Sequence, residues 1–297
     1  MNLIAPFSDS LNRIFSIRVL EKATLYLGGL ETRRRIPRLS TANIRSGKPT
    51  SSGMKVLLWS DTFSSNFASE VAIAAKSVLE SAGYQVLTPE KKQCCGLTLI
   101  STGQLPAARK SLLRLLDSFS PFVEKGIPIV GIEPSCTAVL RSDLKELLPD
   151  DSRSQKIAAN TYTLAELLQA PPPLGPGSTW RRPDLRGREI LVQPHCHQHA
   201  IMGFSADQRL LTDLGATLKV LGGCCGLAGN FGMEKGHYET SVAVAENSLL
   251  PALREMTPET IFLADGFSCR TQASQLGEVN GLHLAQLLAE HTNLRLH

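Results

Sequence analysis

Two Cys-Cys-Gly triplets, Cys94-Cys95-Gly96 and Cys224-Cys225-Gly226, stand 130 residues apart, and no other feature of the chain narrows its fold as far. A further cysteine follows each triplet, Cys136 and Cys269, 133 residues apart. Cys196 completes the seven cysteines and lies 135 residues beyond Asp61. A spacing held this closely at three places reads as an internal duplication of a unit about 130 residues long.

The text around these residues supports two such units. From Met54, short apolar runs alternate with helical patterns, which is the signature of βαβ units and a parallel sheet. Strands are expected at Lys55–Trp59, Tyr84–Leu87 and Pro128–Ile132, with helices over Ala68–Ala82, Leu105–Val123 and Leu140–Leu148. The order then repeats. Glu189–Val192, Thr217–Leu221 and Thr260–Ala264 read as strands, and Ala206–Leu214, Lys235–Leu250 and Leu282–Glu290 as helical. The join is a Pro/Gly-rich stretch from Ala170 to Gly177, stiff and extended. The expected fold is therefore α/β: a basic helix and linker (1–53), a first α/β domain (54–170), a Pro/Gly linker (171–187) and a second α/β domain (188–297), each domain with a mostly parallel sheet. In such sheets ligands bind outside the carboxyl ends of the strands. Asp61 and all seven cysteines follow predicted strand ends, where the fold puts its chemistry.

The N-terminal segment differs from the rest. Residues 1–50 hold nine Lys or Arg against three Asp or Glu, while the remainder holds 22 against 24. The globular body is thus not basic, and with two Trp and four Tyr it offers little for base stacking, so nucleic acid is not an expected partner. Asp9 or Ser10 is placed to cap one helix running to about Leu27, with Leu11, Ile14, Phe15, Ile17, Leu20 and Leu25 as an apolar stripe. Arg33-Arg34-Arg35 and the stretch to Gly53 read as an exposed connector. A basic amphipathic helix can lie on a membrane surface through residues 1–35, but packing on a neighbouring domain is the better reading. Met1–Ser8 is not the start of a secretory signal, and no apolar run is long enough to span a bilayer.

Seven is an odd number for a disulfide framework, and adjacent Cys pairs followed by Gly suit metal or redox use in a reducing cytosol. Glycine allows a tight turn after two ligands and leaves room for a cofactor near the main chain, which singles out Gly96, Gly226 and Gly229. The second triplet lies in a loop with five Gly in eleven residues, 222–232, whose freed N–H groups could donate to cluster sulfides. That loop lacks the G-x-G-x-x-G dinucleotide spacing. Four thiolates, Cys196, Cys224, Cys225 and Cys269, match a 4Fe-4S cluster; the first half offers Cys94, Cys95 and Cys136 plus the Asp61 carboxylate. Zinc is the rival metal, but its usual C-x2-4-C pairs are absent. His195, His197 and His199 alternate on what reads as an extended segment, so His195 and His197 should not both point with Cys196. Either could donate a hydrogen bond to a cluster or substrate. Glu133 and Asp265 read as helix caps, and His237 and Tyr238 as packing residues at a helix start.

The strings Leu58-Trp59-Ser60-Asp61-Thr62-Phe63, Cys94-Cys95-Gly96, Glu133-Pro134-Ser135-Cys136, His195-Cys196-His197, Cys224-Cys225-Gly226-Leu227-Ala228-Gly229 and Asp265-Gly266-Phe267-Ser268-Cys269 carry a resemblance. The chain resembles the cysteine-rich CCG domains of heterodisulfide reductase B subunits and of glycolate oxidase iron–sulfur subunits. More closely, it looks like the C-terminal portion of fused FAD and iron–sulfur D-lactate (D-2-hydroxyacid) dehydrogenases. The resemblance covers roughly residues 54–290. It implies an oxidoreductase component that passes electrons from a flavin to a quinone or cytochrome-type acceptor in lactate or related catabolism. The FAD-binding domain or subunit and a ferredoxin-like iron–sulfur domain would then be partners outside this sequence. A cytoplasmic location follows, peripheral on the inner membrane if residues 1–35 make that contact. Asp61 stands where the general pattern has Cys, and the final C-x-x-C of the heterodisulfide reductase type is missing from both halves. Two other classes stay open: a thiol–disulfide redox subunit acting through the vicinal cysteines, and a non-catalytic docking subunit.

Overall fold

The computed structural model describes residues 7–42, 53–178 and 180–292. Residues 43–52 of the expected N-terminal linker lie outside that set, as do Thr179 and 293–297.

The N-terminal segment forms α1 (Ser8–Ser16) and α2 (Arg18–Leu27). The expected single helix is two, because Ile17 takes an extended ψ of 103° between them. Phe7 occupies the N-cap of α1 with no side-chain cap, so neither Asp9 nor Ser10 caps it. The first unit then runs β1 (Lys55–Trp59), α3 (Thr62–Asn66), α4 (Ser69–Ser81), β2 (Gln85–Leu87), α5 (Leu97–Ser101), α6 (Leu105–Val123) and β3 (Ile129–Gly131). It ends with α7 (Pro134–Arg141), α8 (Asp143–Leu147), α9 (Ser152–Ala159), β4 (Thr161–Thr163) and α10 (Leu164–Leu168). The second unit contains β5 (Glu189–Val192), a π-helical turn at Gln198–Met202, α11 (Ser205–Asp213), β6 (Thr217–Val220), a 3-10 turn at Phe231–Met233 and α12 (Tyr238–Glu246). It closes with α13 (Leu249–Arg254), β7 (Ile261–Leu263), α14 (Phe267–Gly277) and α15 (Leu284–His291). The helices expected at Leu140–Leu148 and Lys235–Leu250 are each divided, at Ser142 and at Asn247-Ser248, where ψ or φ leaves the helical range.

The chain builds two α/β units with parallel sheets, ordered β2-β1-β3-β4 and β6-β5-β7. The strand order 2-1-3 recurs as 6-5-7, which is the topology a duplication leaves. The fourth strand survives in the second unit as one parallel bridge, Leu263 to Leu282. In both units a capping box follows it: Thr163 with Glu166 opens α10, and His283 with Gln286 opens α15.

Strand alternation decides where the cores lie. Val56 and Leu58 of β1, with Ile190 and Val192 of β5, enter one apolar cluster that also takes α4, α10, α11 and α15. Leu57 and Trp59 face the other way, against Leu112, Leu115, Leu116 and Phe119 of α6. Leu191 and Phe262 likewise face α13. Four helices thus lie between the two sheets, and they pack across the units: α15 on α4, and α10 on α11. The Pro/Gly linker lies against this layer through buried Leu185 and partly buried Leu174 and Trp180, and Tyr84 donates to the Leu174 carbonyl at 2.9 Å.

The stretch 28–42 is not an exposed connector. Leu30 bridges Glu234, Glu31 N–H donates to Met233 O, and Lys235 N–H donates to Gly29 O. Ser40 N–H then donates to Asn66 O of the first unit. Buried Glu21 organises the strap: it takes Arg18 at 2.7 Å, Arg35 at 2.8 Å and the Ile36 N–H at 2.8 Å. Arg18 in turn donates to the carbonyls of Thr32 and Arg34. Bonds to a charged acceptor contribute roughly 1.5–3 kcal/mol each. Glu21→Ala should therefore raise the open population of the strap about tenfold or more. Limited trypsin digestion after Arg33, Arg34 and Arg35 reads that population: the wild type should resist and the variant be cut at least tenfold faster. Equal rates would mean that Glu21 does not hold the strap.

Candidate metal centre

The two sheets present equivalent loops. Asp61 follows β1 and Cys196 follows β5; Cys94-Cys95 follow β2 and Cys224-Cys225 follow β6; Cys136 follows β3 and Cys269 follows β7. Cys136 and Cys269 each sit in the first turn of the helix after their strand, α7 and α14.

In the first unit, Cys95 and Cys136 are buried with sulfurs 3.2 Å apart, and Cys94, next to Cys95 in the chain, is half-buried. Gly96 turns the chain into α5 at φ +78°, and its N–H donates to Cys94 Sγ at 3.5 Å. Asp61 is buried, and both its oxygens are engaged. Oδ1 accepts the N–H groups of Phe63 (2.7 Å) and Ser64 (3.2 Å), and Oδ2 accepts the Ser64 hydroxyl (2.6 Å). It is the N-cap of α3. The first unit therefore brings three thiols together, with the Asp61 carboxylate beside them serving a helix end.

In the second unit the four thiols lie in three loops. The Cys196 and Cys225 thiols lie beside Cys224, and Cys225 shares a buried apolar cluster with Cys269. Cys196 and Cys225, followed by the Gly226 N–H at 3.3 Å, pull Cys224 far below the usual thiol range, against the effect of burial. Cys225 and Cys269 are buried, Cys224 is partly so, and Cys196 is exposed, so the group opens to solvent at Cys196. Gly226 sits at φ +90°, and an added Cβ there would strike the Ser241 carbonyl. Gly229 also has positive φ but nothing near it, so it shapes the loop without packing on it.

His195 and His197 do not fall on opposite faces. The chain becomes helical at Cys196, and the two rings stack at 5.3 Å with one nitrogen of each and Cys196 Sγ all within 4.8 Å of one another. His195 Nδ1 is 3.9 Å from Cys196 Sγ, and its Nε2 is 3.3 Å from Ser268 Oγ. Burial, then the neighbouring His197, lowers His195 to about 4, so it is neutral near pH 7. His197 Nδ1 is buried and without a partner among the described residues. Four thiols from three strand-end loops, a backbone N–H on sulfur and an imidazole nitrogen with no partner among the described residues are the features a thiolate-bound iron–sulfur cluster uses. The residues of the second unit fit that group.

The two loop sets meet. Phe63 of α3 stacks on Phe267 of α14 at 5.3 Å. Glu133 is buried and caps nothing on its own helix; Oε2 accepts the Phe267 N–H across the units, and Oε1 accepts Ser135 Oγ, both at 2.9 Å. Asp265 caps α15 through Leu284 N–H rather than its own helix α14. His283 donates from Nε2 to the Ile132 carbonyl of the first unit. Burial, then Asp61, raises Glu133 to about 7. A carboxyl raised above its unfolded value favours the fold below about pH 4.5, and that contribution is lost as pH rises through 7. Glu133→Gln keeps the acceptor and removes the charge, so it should abolish a loss on the order of 3 kcal/mol between those limits. Denaturant midpoints measured from pH 4.5 to 8 check this; parallel profiles for both proteins would refute it.

Sequence reading missed Arg34, Ser241 and Gln272, which lie behind the second loop. Arg34 is 1% exposed and donates to Gly232 O, Gln272 Oε1 and Ser241 Oγ. Tyr238, expected only to pack, lies under Arg33 (3.9 Å to the ring centre) and Arg34 (5.0 Å).

Comparison with known proteins agrees with this geometry. A family model described as a cysteine-rich domain, CCG, matches residues 61–141. D-2-hydroxyglutarate dehydrogenase of Pseudomonas putida is 25% identical over 265 residues, which cover 88% of this chain and 25% of that protein. One subunit of the anaerobic glycerol-3-phosphate dehydrogenase of Escherichia coli is 28% identical over 229 residues, 72% of this chain and 53% of that protein. Lactate utilization protein A of Bacillus subtilis is 24% identical over 251 residues, 79% of this chain and 99% of that protein. The chain thus spans about a quarter of the first of these relatives and about half of the second.

Proposed function

We propose that this chain is the iron–sulfur electron-transfer portion of a FAD-dependent D-2-hydroxyacid dehydrogenase, of the D-lactate or glycolate type. The observation that carries the reading is the placement of four free thiols, Cys196, Cys224, Cys225 and Cys269, in the three loops after the strands of the second unit, with Cys225 and Cys269 in one buried cluster. These four thiolates would hold a 4Fe-4S cluster, which supplies one-electron chemistry when bound. Gly96, Gly226 and Gly229 shape the loops; His195 and His197 flank the exposed edge at Cys196. Cys94, Cys95 and Cys136 would form a second, three-thiolate site beside Asp61. In this reading 54–170 and 188–297 are tandem cysteine-rich domains.

Two relatives name a 2-hydroxy acid, which supports the substrate class, and the third names a related secondary alcohol. Lactate, 2-hydroxyglutarate and glycerol 3-phosphate, named in their descriptions, all carry a secondary alcohol. Removing its hydride needs a flavin or nicotinamide acceptor, and here that would be FAD on a separate domain or subunit. Electrons would leave to a quinone or cytochrome, with a ferredoxin-like domain as a further partner. Among the described residues no helix is long and apolar enough to cross a membrane. Phe7, Val19 and Leu27 of the N-terminal segment are 60%, 75% and 85% exposed, which supports contact of that surface with a neighbouring domain or a membrane.

Anaerobic purification followed by iron and acid-labile sulfide analysis tests the reading. About four of each per chain are expected for one cluster. A protein that stays colourless and iron-free after reconstitution would exclude it, and thiol titration would then assess a dithiol role.

A further inference from the structure

A buried guanidinium is costly unless an anion accompanies it. Within Arg33-Arg34-Arg35 the outer two have theirs: Arg33 pairs with Glu31 and Glu239, and Arg35 with Glu21. Arg34, the buried one, has no carboxylate within ion-pair distance among the described residues. Its three bonds go to neutral acceptors: Nε to Gly232 O at 2.8 Å, Nη1 to Gln272 Oε1 at 2.8 Å and Nη2 to Ser241 Oγ at 2.7 Å.

Each acceptor belongs to a loop or helix that carries a cysteine or leans on one. Gly232 ends the glycine-rich stretch that begins before Cys224. Ser241 Oγ, having accepted from Arg34, donates to the Gly226 carbonyl at 2.7 Å, directly after Cys225. Gln272 follows Cys269 by three residues on α14, and its Nε2 returns to Ser241 Oγ at 3.1 Å. Ser241 and Gln272 are fully buried, so water cannot take the place of these partners. Burial works against the Arg34 charge, and Tyr238, the more distant Glu31 carboxylate and then Cys225 work in its favour.

We propose that Arg34 is a positioning and potential-setting residue of the second unit's metal centre, with its unpaired positive charge serving as the counter-charge of the thiolates at Cys225 and Cys269. The proposal rests on the iron–sulfur reading above. It makes the strap of residues 28–42 a working part of that centre. A cluster held by four thiolates is anionic and gains a further negative charge on reduction, so a nearby fixed cation favours the reduced form. The same cation compensates the apo-protein's thiolates and so favours loading.

The test is a redox titration of the reconstituted full chain, followed by visible absorption and electron paramagnetic resonance. Arg34→Gln removes the charge. Gln272→Glu leaves Arg34 in place and gives it a carboxylate partner of the same shape as the native amide. Both should shift the oxidised-to-reduced ratio at fixed potential at least tenfold toward oxidised, which is about 59 mV for one electron. Arg34→Lys, which retains the charge, should stay near the wild type. The differences should persist at high ionic strength, because a buried charge is screened little. Should Arg34→Gln fail to fold, Gln272→Glu carries the test, since each of the three Arg34 nitrogens keeps its acceptor there. A wild type without a cluster would overturn the iron–sulfur reading itself. A wild type with a cluster, and ratios within about twofold of it in Gln272→Glu and any folded Arg34→Gln, would overturn the role of Arg34 alone.

Discussion

Cys225→Ser is expected to remove the broad visible absorption of the second-unit cluster from the reconstituted chain, together with nearly all of that cluster's iron. Cys225 follows Cys224 directly in the loop, packs in one buried cluster with Cys269, and is 4% exposed. Serine keeps the shape, so the fold should survive. A hydroxyl, however, ionises far less readily than a thiol and is a harder donor that iron–sulfur sites rarely use. Cys94→Ser is the control, because Cys94 lies in the first unit and its loss leaves the four-thiol group intact. Absorption and iron per chain, measured side by side, separate the two. Full iron in Cys225→Ser would mean that the cluster sits elsewhere.

The second large effect concerns division of labour. The chain alone should give no D-lactate- or D-2-hydroxyglutarate-dependent dye reduction. On the proposed reading its cysteine centre would pass electrons while FAD elsewhere would accept the hydride, and the glycine-rich loop of this chain lacks the dinucleotide spacing. Addition of the flavoprotein partner should restore turnover. In that assembly Cys224→Ala should slow electron delivery to the terminal acceptor at least tenfold, while flavin reduction by substrate changes less than about twofold. Stopped-flow traces at flavin and cluster wavelengths resolve the two steps. Robust turnover by the chain alone, or equal slowing of both steps, would put the substrate site on this chain.

Much of the fold was legible because its signals are local. The α6 helix occupies Leu105–Val123, the range its apolar period marks, and β1 and β5 keep the expected bounds. The duplication was legible in the cysteine register, and the strand orders bear it out. What escaped was short or polar. The β4 strand has three residues and α10 has five, too few for a period to show. The α14 helix buries Ser268, Cys269, Gln272 and Ala273, a face with little apolar character, so the helix that carries a cysteine gave no amphipathic signal. His195 and His197 were misread because alternation suggests a strand, whereas the chain turns helical one residue after His195. Arg34 could not be found locally at all. A run of three arginines is normally solvated, and the atoms that bury the middle one lie 198 to 238 residues away.

The helix layer between the sheets bears on how the chain can be divided. Val56 and Leu58 share their apolar surroundings with Ile190 and Val192, and α15 leans on α4 as α10 leans on α11. Severing the chain at the proline-rich join would leave each fragment with a leucine- and alanine-rich slab facing water. Such surfaces associate, with their own kind or with the other fragment. The two copies are thus mutually obligate. Each is the other's solvent shield, and one half expressed alone is expected to precipitate or to recapture its missing twin when the two are made together.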